Sequence, residues 1–318
     1  MLPIKLNLPE HFLDEEIRCN YTISHKMKKV WAIELDLLNE FQRVCKKYNL
    51  SYYSDSGTTI GAIRHQGFVP WDDDIDIVMM RSDYEKLRSV AATEFKHPYF
   101  FQVEDTDPGS ARGHIQLRNS ETTGILKHEF KRNYKFNQGI FIDIFPLDAI
   151  PDDEQLFKKQ IEDSEDLKEK MFQMRFLVEE YFLFKRWNFV AKIINKIKYN
   201  RYHDLKKHPK GYNHFFQKYD QVISQYNGVN TKRIANLSIT PYKEFRLRWR
   251  EDYSSALIKP FEFMNIPVPN GYDRILTKVY GDWKKPIPSP SGHGEIILDP
   301  EQPYFVFYSK NKKTFSKA

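Results

Sequence analysis

Residues 71–77 read Trp-Asp-Asp-Asp-Ile-Asp-Ile, a run of acids that passes into an alternation of aspartate and isoleucine. In an extended strand successive side chains point to opposite faces. Asp72, Asp74 and Asp76 are therefore expected on one face, and Asp73, Ile75 and Ile77 on the other. Ionised carboxylates one pleat apart repel each other and destabilise a strand. A divalent cation between them removes that cost. A hard cation such as Mg2+ typically takes one or two carboxylates plus substrate phosphates. The chemistry this implies is phosphoryl or nucleotidyl transfer. The competing reading is a solvated acidic turn ahead of a strand, and the apolar alternation and the glycine-containing turn upstream weigh against it.

Two further features fit. Ser56-Gly57-Thr58-Thr59 precedes a short helical stretch, so backbone amides there can receive phosphate oxygens; an ordinary strand-to-helix turn would look the same. Asp143 interrupts Gly-Ile-Phe-Ile-Asp-Ile-Phe at 139–145, the strongest strand signal in the chain. An acid in such a strand is costly to bury unless paired or metal-bound. It is expected as a third metal ligand or as the base for an acceptor hydroxyl, with a bond to arginine or backbone amides as the alternative. Asp148, beyond Pro146, reads as a turn residue.

Around this centre the pattern is mixed α/β. A helix is expected over 22–48, capped by Ser24 or Thr22, from the spacing of Val30, Ile33, Leu37, Leu38, Phe41 and Val44. Strands are expected at 50–54, 74–79, 98–104, 112–118 and 139–145. A helix opening at Ser82 carries Glu85 in a capping-box position. Residues 152–206 and 213–226 read as helical, several strands fall within 229–263, and a short helix precedes Gly281. The expected division is a catalytic core at 1–150, a helical region at 151–228 and a C-terminal module at 229–318 packing on the core.

Composition narrows the classes. Forty-nine basic residues against 43 acidic give a net charge of +6, too mild to demand nucleic acid, and no nucleic-acid partner is expected. No apolar run approaches the roughly 18 residues of a spanning helix. The N-terminus lacks the apolar core of a secretory signal. Two cysteines cannot build a disulfide scaffold or a four-cysteine zinc site. The reducing cytoplasm is the expected compartment. Residues 181–210 hold nine basic residues and one acidic, interleaved with aromatics; this suits peripheral contact with an anionic membrane, although an amphipathic helix packed on the core with a solvated basic face is the preferred reading.

The stretch Gly57–Ile77 resembles the signature of the LicD family. Asp83-Tyr84-Glu85-Lys86-Leu87 and Gly139–Asp148 continue the resemblance, as do LPEHFLDEEIR near the start and PVPNGYDRILTKVYGDW near the end. The family implies a nucleotidyltransferase-like core with a mixed sheet and a divalent metal, Mg2+ or Mn2+. Its bacterial members transfer phosphocholine from CDP-choline to sugars of teichoic acid, lipopolysaccharide or other surface glycans. The related fukutin and fukutin-related protein use CDP-ribitol. Carried onto this chain, Gly57 matches the glycine of the phosphate-facing helix, flanked by Ser56 and Thr58. Asp74 and Asp76 match the paired metal ligands, and Asp143 the third carboxylate. Arg64, His65 and Trp71 lie in the matching signature. Arg64 would steady phosphate charge or stand as an exposed helix arginine, His65 would donate to a phosphate or bond structurally to backbone, and Trp71 would stack on cytosine or sugar or anchor the strand from the core. The family often has a lysine near 116, for which Gln116 or Arg118 would have to substitute. A choline headgroup would need an aromatic cage, with Tyr52, Tyr53, Phe68, Tyr134 and Phe136 among the candidates. The resemblance thus implies a CDP-linked donor, CDP-choline foremost, and a glycan or lipid-linked glycan acceptor. A CDP-ribitol or CDP-glycerol enzyme and an NTP-using nucleotidyltransferase are the alternatives.

Overall fold

The computed structural model describes residues 2–130, 134–183, 189–190, 193–194, 197, 214–239, 241–288 and 294–311. The basic, aromatic stretch 181–210 lies largely outside the described residues. Two short strands, β1 (Glu16–Arg18) and β2 (Tyr21–Ile23), pair antiparallel and lead into α1 (His25–Tyr48). The Ser24 hydroxyl accepts the Met27 N–H at 3.2 Å, so Ser24 rather than Thr22 is the cap. Asn49, in the left-handed conformation, returns its N–H to the carbonyls of Cys45 and Lys46 and ends the helix.

β3 (Tyr53–Ser54) is followed by α2 (Ser56–Ile60), and one wide π-type turn over Gly61–His65 extends it. β4 (Asp76–Met80) passes directly into α3 (Arg81–Glu94). The expected capping box does not form. The helix starts one residue earlier, Met80 sits at the cap without a side-chain bond, and Glu85 is drawn instead to Arg81 at 2.9 Å and Arg88 at 3.0 Å.

β5 (Tyr99–Gln102) and β6 (Ile115–Asn119) pair antiparallel, as their sequences suggest. Then come β7 (Thr123–Leu126), α4 (Lys127–Phe130) and the long β8 (Ile140–Ala149). β8 runs straight through Pro146. The Asp143 N–H donates to Ile75 on the β4 side, so by alternation an N–H at 146 would face the opposite edge. There β6 has ended, opposite Ile144, and β9 has not begun, and a missing donor costs nothing.

α5 (Glu154–Leu183) and α6 (His214–Ser224) pack on one another. β9 (Arg233–Ala235), β10 (Leu247–Trp249), the hairpin β11 (Ala256–Phe261) and β12 (Met264–Pro269), α7 (Tyr272–Tyr280), β13 (Ile296–Asp299) and α8 (Tyr304–Lys310) complete the chain.

The central sheet has seven strands. β4 and β8 lie side by side and parallel, β3 borders β4, β6 and β5 flank the first half of β8, and β9 and β10 continue from its end, all antiparallel. This is the expected mixed α/β architecture with a mixed sheet. Ile77 and Met79 face α1 and its buried stripe of Trp31, Leu35 and Leu38. Val78 and Phe145 face the other way, against Tyr53, Ile234, Tyr253 and Ile275. Asp76 and Asp143 share that second face. Among the described residues no helix is long and apolar enough to cross a membrane.

Asp148 corrects the reading of a turn residue. It sits within β8, fully buried, and grips Arg81 with both oxygens at 2.7 Å. Asn227 donates to it at 2.6 Å.

Candidate active site

The register of β4 against β8 places Asp76 directly opposite Asp143. Asp143 is in turn opposite Gln116 on β6. The start of β4 is strapped to α2: the Asp76 N–H donates to the Thr58 hydroxyl at 2.8 Å, and its carbonyl accepts the Asp55 N–H at 3.0 Å. The turn at 56–58 therefore lies against the first carboxylate of the strand. A Cβ built on Gly57 would overlap the Asp72 carboxylate, which explains the glycine by close approach. Gly57→Ala must push that carboxylate aside, and a side-chain end yields at little cost to the fold. The expected result is a melting temperature within about 2 °C of wild type with turnover about 10–100-fold lower, by analogy with lost support of a metal ligand. Thermal unfolding and a product-release assay would check it.

The expected alternation fails at 72–74. The strand begins only at Asp76, so residues 71–74 lie ahead of the pleat and three consecutive aspartates turn together. Oxygens of Asp72, Asp73 and Asp74 lie within 4.8 Å of one another. Among the described residues this is the one acidic, histidine or cysteine set of that closeness. Asp74 belongs to it, whereas Asp76 and Asp143 stand beside it as the in-register pair. The loop is held by the Trp31 indole, which donates to the Asp72 carbonyl at 3.1 Å, and by the Asp72 N–H on the Val69 carbonyl at 2.9 Å.

Charge crowds here. Burial, and then the charges of Asp74, Asp143, Asp55 and Asp72, hold the Asp76 carboxyl well above the usual range. Asp143 behaves oppositely. Burial pushes it up, but His114, Gln116 and Arg118 outweigh burial and hold it below its ordinary value. Its Oδ1 meets His114 Nε2 at 3.0 Å and accepts from Gln116 Nε2 at 2.7 Å. His114 Nδ1 lies 3.0 Å from the Arg112 carbonyl. Both ring nitrogens face acceptors; burial outweighs the opposing pull of the Asp143 carboxylate and holds the imidazole below its ordinary value.

The other anticipated residues are placed differently. Arg64 gives Nη1 to the carbonyls of Trp283 at 2.5 Å and Lys285 at 2.9 Å, and Nε to His65 at 2.8 Å. Those donors fasten the segment after α7 and are not presented to a phosphate. His65, thus bonded, is pushed down to about 4 by burial and by Arg64 and Arg18, so it is a neutral acceptor at pH 7. Trp71 is half-buried and packs edge-on against Tyr21 at 6.0 Å. Arg118 is fully buried, bound to Gln102, the Gly139 carbonyl and Gln116. It stiffens Gln116 and does not substitute for a phosphate-binding lysine. Of the cage candidates, Phe68 stacks on Trp31 at 4.5 Å, Tyr134 on Phe136 at 4.9 Å, and the Tyr53 hydroxyl donates to the Tyr253 carbonyl at 2.7 Å. These rings are core.

Four residues not singled out from the sequence line the site. His114 and Asp55 are two. Arg248 brings Nη2 to 3.7 Å from Asp55 Oδ1. Tyr280 on α7 is near enough for the charges of Asp55, Asp76 and Asp72, after burial, to push its hydroxyl's pKa up. His114 carried a usable signal: with Gln116 and Arg118 it makes a polar period of two in an otherwise apolar strand.

The donor set suits a hard divalent cation. It consists of carboxylate oxygens, as Mg2+ or Mn2+ prefer, and their mutual repulsion is the kind a dication removes.

Residues 49–178 match the family model described as LicD/FKTN/FKRP, nucleotidyltransferase domain. The chain carries a LicD-family domain, as its signature implied. It is also similar to the lipopolysaccharide cholinephosphotransferase LicD of Haemophilus influenzae, 28% identical over 259 residues, covering 79% of this chain and 88% of that protein. A shorter match, 38% identical over 78 residues, links it to an uncharacterized protein of Rickettsia prowazekii and covers 24% of this chain and 27% of the other.

Proposed function

We propose that the protein is a metal-dependent transferase that moves phosphocholine from a CDP-linked donor, CDP-choline foremost, to a sugar hydroxyl of a cell-surface glycan. The observation that carries the reading is the Asp76–Asp143 pair, set in register on adjacent parallel strands beside the Asp72–Asp74 set and beneath the Gly57 turn. The similarity to a cholinephosphotransferase over most of both chains supports the choice of phosphocholine.

Asp74 and Asp76, with Asp143, would hold Mg2+ or Mn2+, and the bound ion would neutralise the donor's diphosphate. Asp143 is fixed through Oδ1 by His114 and Gln116, which leaves Oδ2 for the cation or for the acceptor hydroxyl's proton. The hydroxyl oxygen bonds to the distal phosphorus, the phosphoanhydride bond to the proximal phosphate breaks, and CMP leaves. The Thr58 strap and Gly57 keep the turn close to Asp72 and Asp76 while this happens. A CDP-linked donor places the reaction in the cytoplasm, and a lipid-linked acceptor would bring the protein to the inner face of the membrane.

The test is a donor screen with Mg2+ or Mn2+ over CDP-choline, CDP-ribitol, CDP-glycerol and CTP, with a lipopolysaccharide acceptor. CMP released from CDP-choline is the expected result. CMP from a polyol donor alone would move the reading to polyol-phosphate transfer, and pyrophosphate from CTP would make the protein a nucleotidyltransferase.

A further inference from the structure

The sheet brings one further charged side chain to the face that carries Asp76 and Asp143. On β8, Asp143, Phe145, Leu147 and Ala149 point the same way by alternation. Ala149 is opposite Ile234 on β9, and Ile234 is opposite Arg248 on β10. Residues directly opposite in a ladder share a face, so Arg248 stands on the carboxylate face, two strands from β8. Its neighbour Leu247 points the other way, into the core built by α5 and α6. The Arg248 guanidinium reaches Asp55, the residue between β3 and α2 whose N–H is bonded to the Asp76 carbonyl at 3.0 Å. An edge strand of the C-terminal part thus places a cation against the strap of the first catalytic strand.

That cation is held differently from the other inner arginines. Arg81 meets both oxygens of Asp148 at 2.7 Å, and Arg112 meets those of Glu129 at 2.9 Å and 2.8 Å. Arg248 and Asp55 are both nearly without solvent exposure, yet Arg248 Nη2 stops 3.7 Å from Asp55 Oδ1, beyond a hydrogen bond. Its Nη1 donates to the Phe245 carbonyl. Tyr253 adds a second observation. Its ring packs edge-on against Tyr53 at 5.2 Å, two residues before Asp55, and its hydroxyl is buried without a hydrogen-bond partner. The charges of Asp55 and Arg248 both act on that hydroxyl. A buried cation standing off from its carboxylate, beside an unpartnered hydroxyl, is costly. A phosphate would complete both, because a guanidinium fork matches its oxygens in pairs. Arg64 and Arg118, the arginines anticipated for that task, are bonded elsewhere.

We propose that Arg248 binds a phosphate of the CDP-linked donor, with Asp55 holding the guanidinium in place until the donor arrives. This rests on the donor class proposed above. Arg248 lies beyond residues 49–178, which match the family model, so the donor site is completed by the C-terminal part of the chain.

The test is calorimetric binding of CDP and of cytidine, which has no phosphate, to the full chain in Mg2+, with folding followed by circular dichroism. Arg248→Met should weaken CDP binding by about 10-fold or more, the size of lost hydrogen bonds to a charged group, and leave cytidine binding unchanged. The R248M/D55N double variant strands no charge, so it should fold and show the same loss. Asp55→Asn alone should bind CDP as tightly as wild type or more tightly, because the guanidinium is then released to the ligand. Unchanged CDP affinity in R248M overturns the proposal, as does a loss shared by cytidine. Affinity restored in the double variant overturns it too, since the loss in R248M would then come from the stranded Asp55. An equal loss in D55N, or a double variant that does not fold, makes the pair structural and has the same consequence. A wild-type chain that binds CDP no better than cytidine is a distinct result, because the CDP-linked donor itself then falls.

Discussion

Asp74→Asn and Asp76→Asn each lower turnover by about 10²–10³-fold or more while the protein stays folded. On the proposed function, the size follows from what is removed: charge aimed at a developing phosphate transition state, where deleting even one neutral donor costs about that much, and a charged ligand of the proposed cation would be lost with it. The retained fold follows from the surroundings. Burial and four neighbouring acids hold the Asp76 carboxyl well above the usual range, so without a cation the neutral form is favoured there. Asparagine is close in shape to that neutral form. Its side chain does not touch the strap, which runs from the Asp76 backbone to Thr58 and Asp55. In EDTA the melting temperature of D76N should therefore match or exceed that of wild type. Added Mg2+ should raise the wild-type value and leave the variant's unchanged. Turnover surviving in both variants would remove the metal assignment.

How much of this was legible depends on whether a property is local. The strand around Asp143 and the helix over α1 announce themselves by apolar period, and both form where expected. The pairing of Asp76 with Asp143 needed only that two acid-bearing strands be neighbours, which the shared signature suggested. Other features are properties of contacts. Whether Asp72–Asp74 extend or curl depends on where β4 begins, and the Trp31 indole, forty-one residues upstream, helps fix that loop. Arg64 reads as a phosphate ligand from its place in the signature, yet carbonyls of the 283–285 segment reach it first. His114 shows a polar period on β6, but its meaning appears only when β6 docks on β8 with His114 and Gln116 beside Asp143. Asp148 follows a proline and suggests a turn; that β8 continues past Pro146 is set by where two other strands end and begin.

That hidden residue carries the largest expected effect on stability. Asp148→Ala should cost about 3–5 kcal/mol, the range for stripping one partner from a buried ion pair. Asp148 is fully buried and Arg81 nearly so. The guanidinium spans both carboxylate oxygens at 2.7 Å, and its Nη1 also bonds Asp220 on α6 at 3.0 Å. Alanine leaves that cation buried with Asp220 and the half-exposed Glu85 as its remaining carboxylates. Replacing both partners by apolar residues of similar volume should do less harm than D148A alone, because no charge is then stranded. Urea unfolding of wild type, D148A and the R81M/D148L double variant measures this. A D148A loss below about 1 kcal/mol would show that the pair is not a structural clamp. The clamp bears on the site through the strands. Arg81 directly follows β4 and Asp148 lies near the end of β8, while Asp76 opens β4 and Asp143 sits opposite it on β8. Fixing the far ends of two parallel strands fixes their register, and the register is what holds Asp76 opposite Asp143. Activity of D148A should therefore fall with temperature before the wild-type activity does, in step with its lowered unfolding transition.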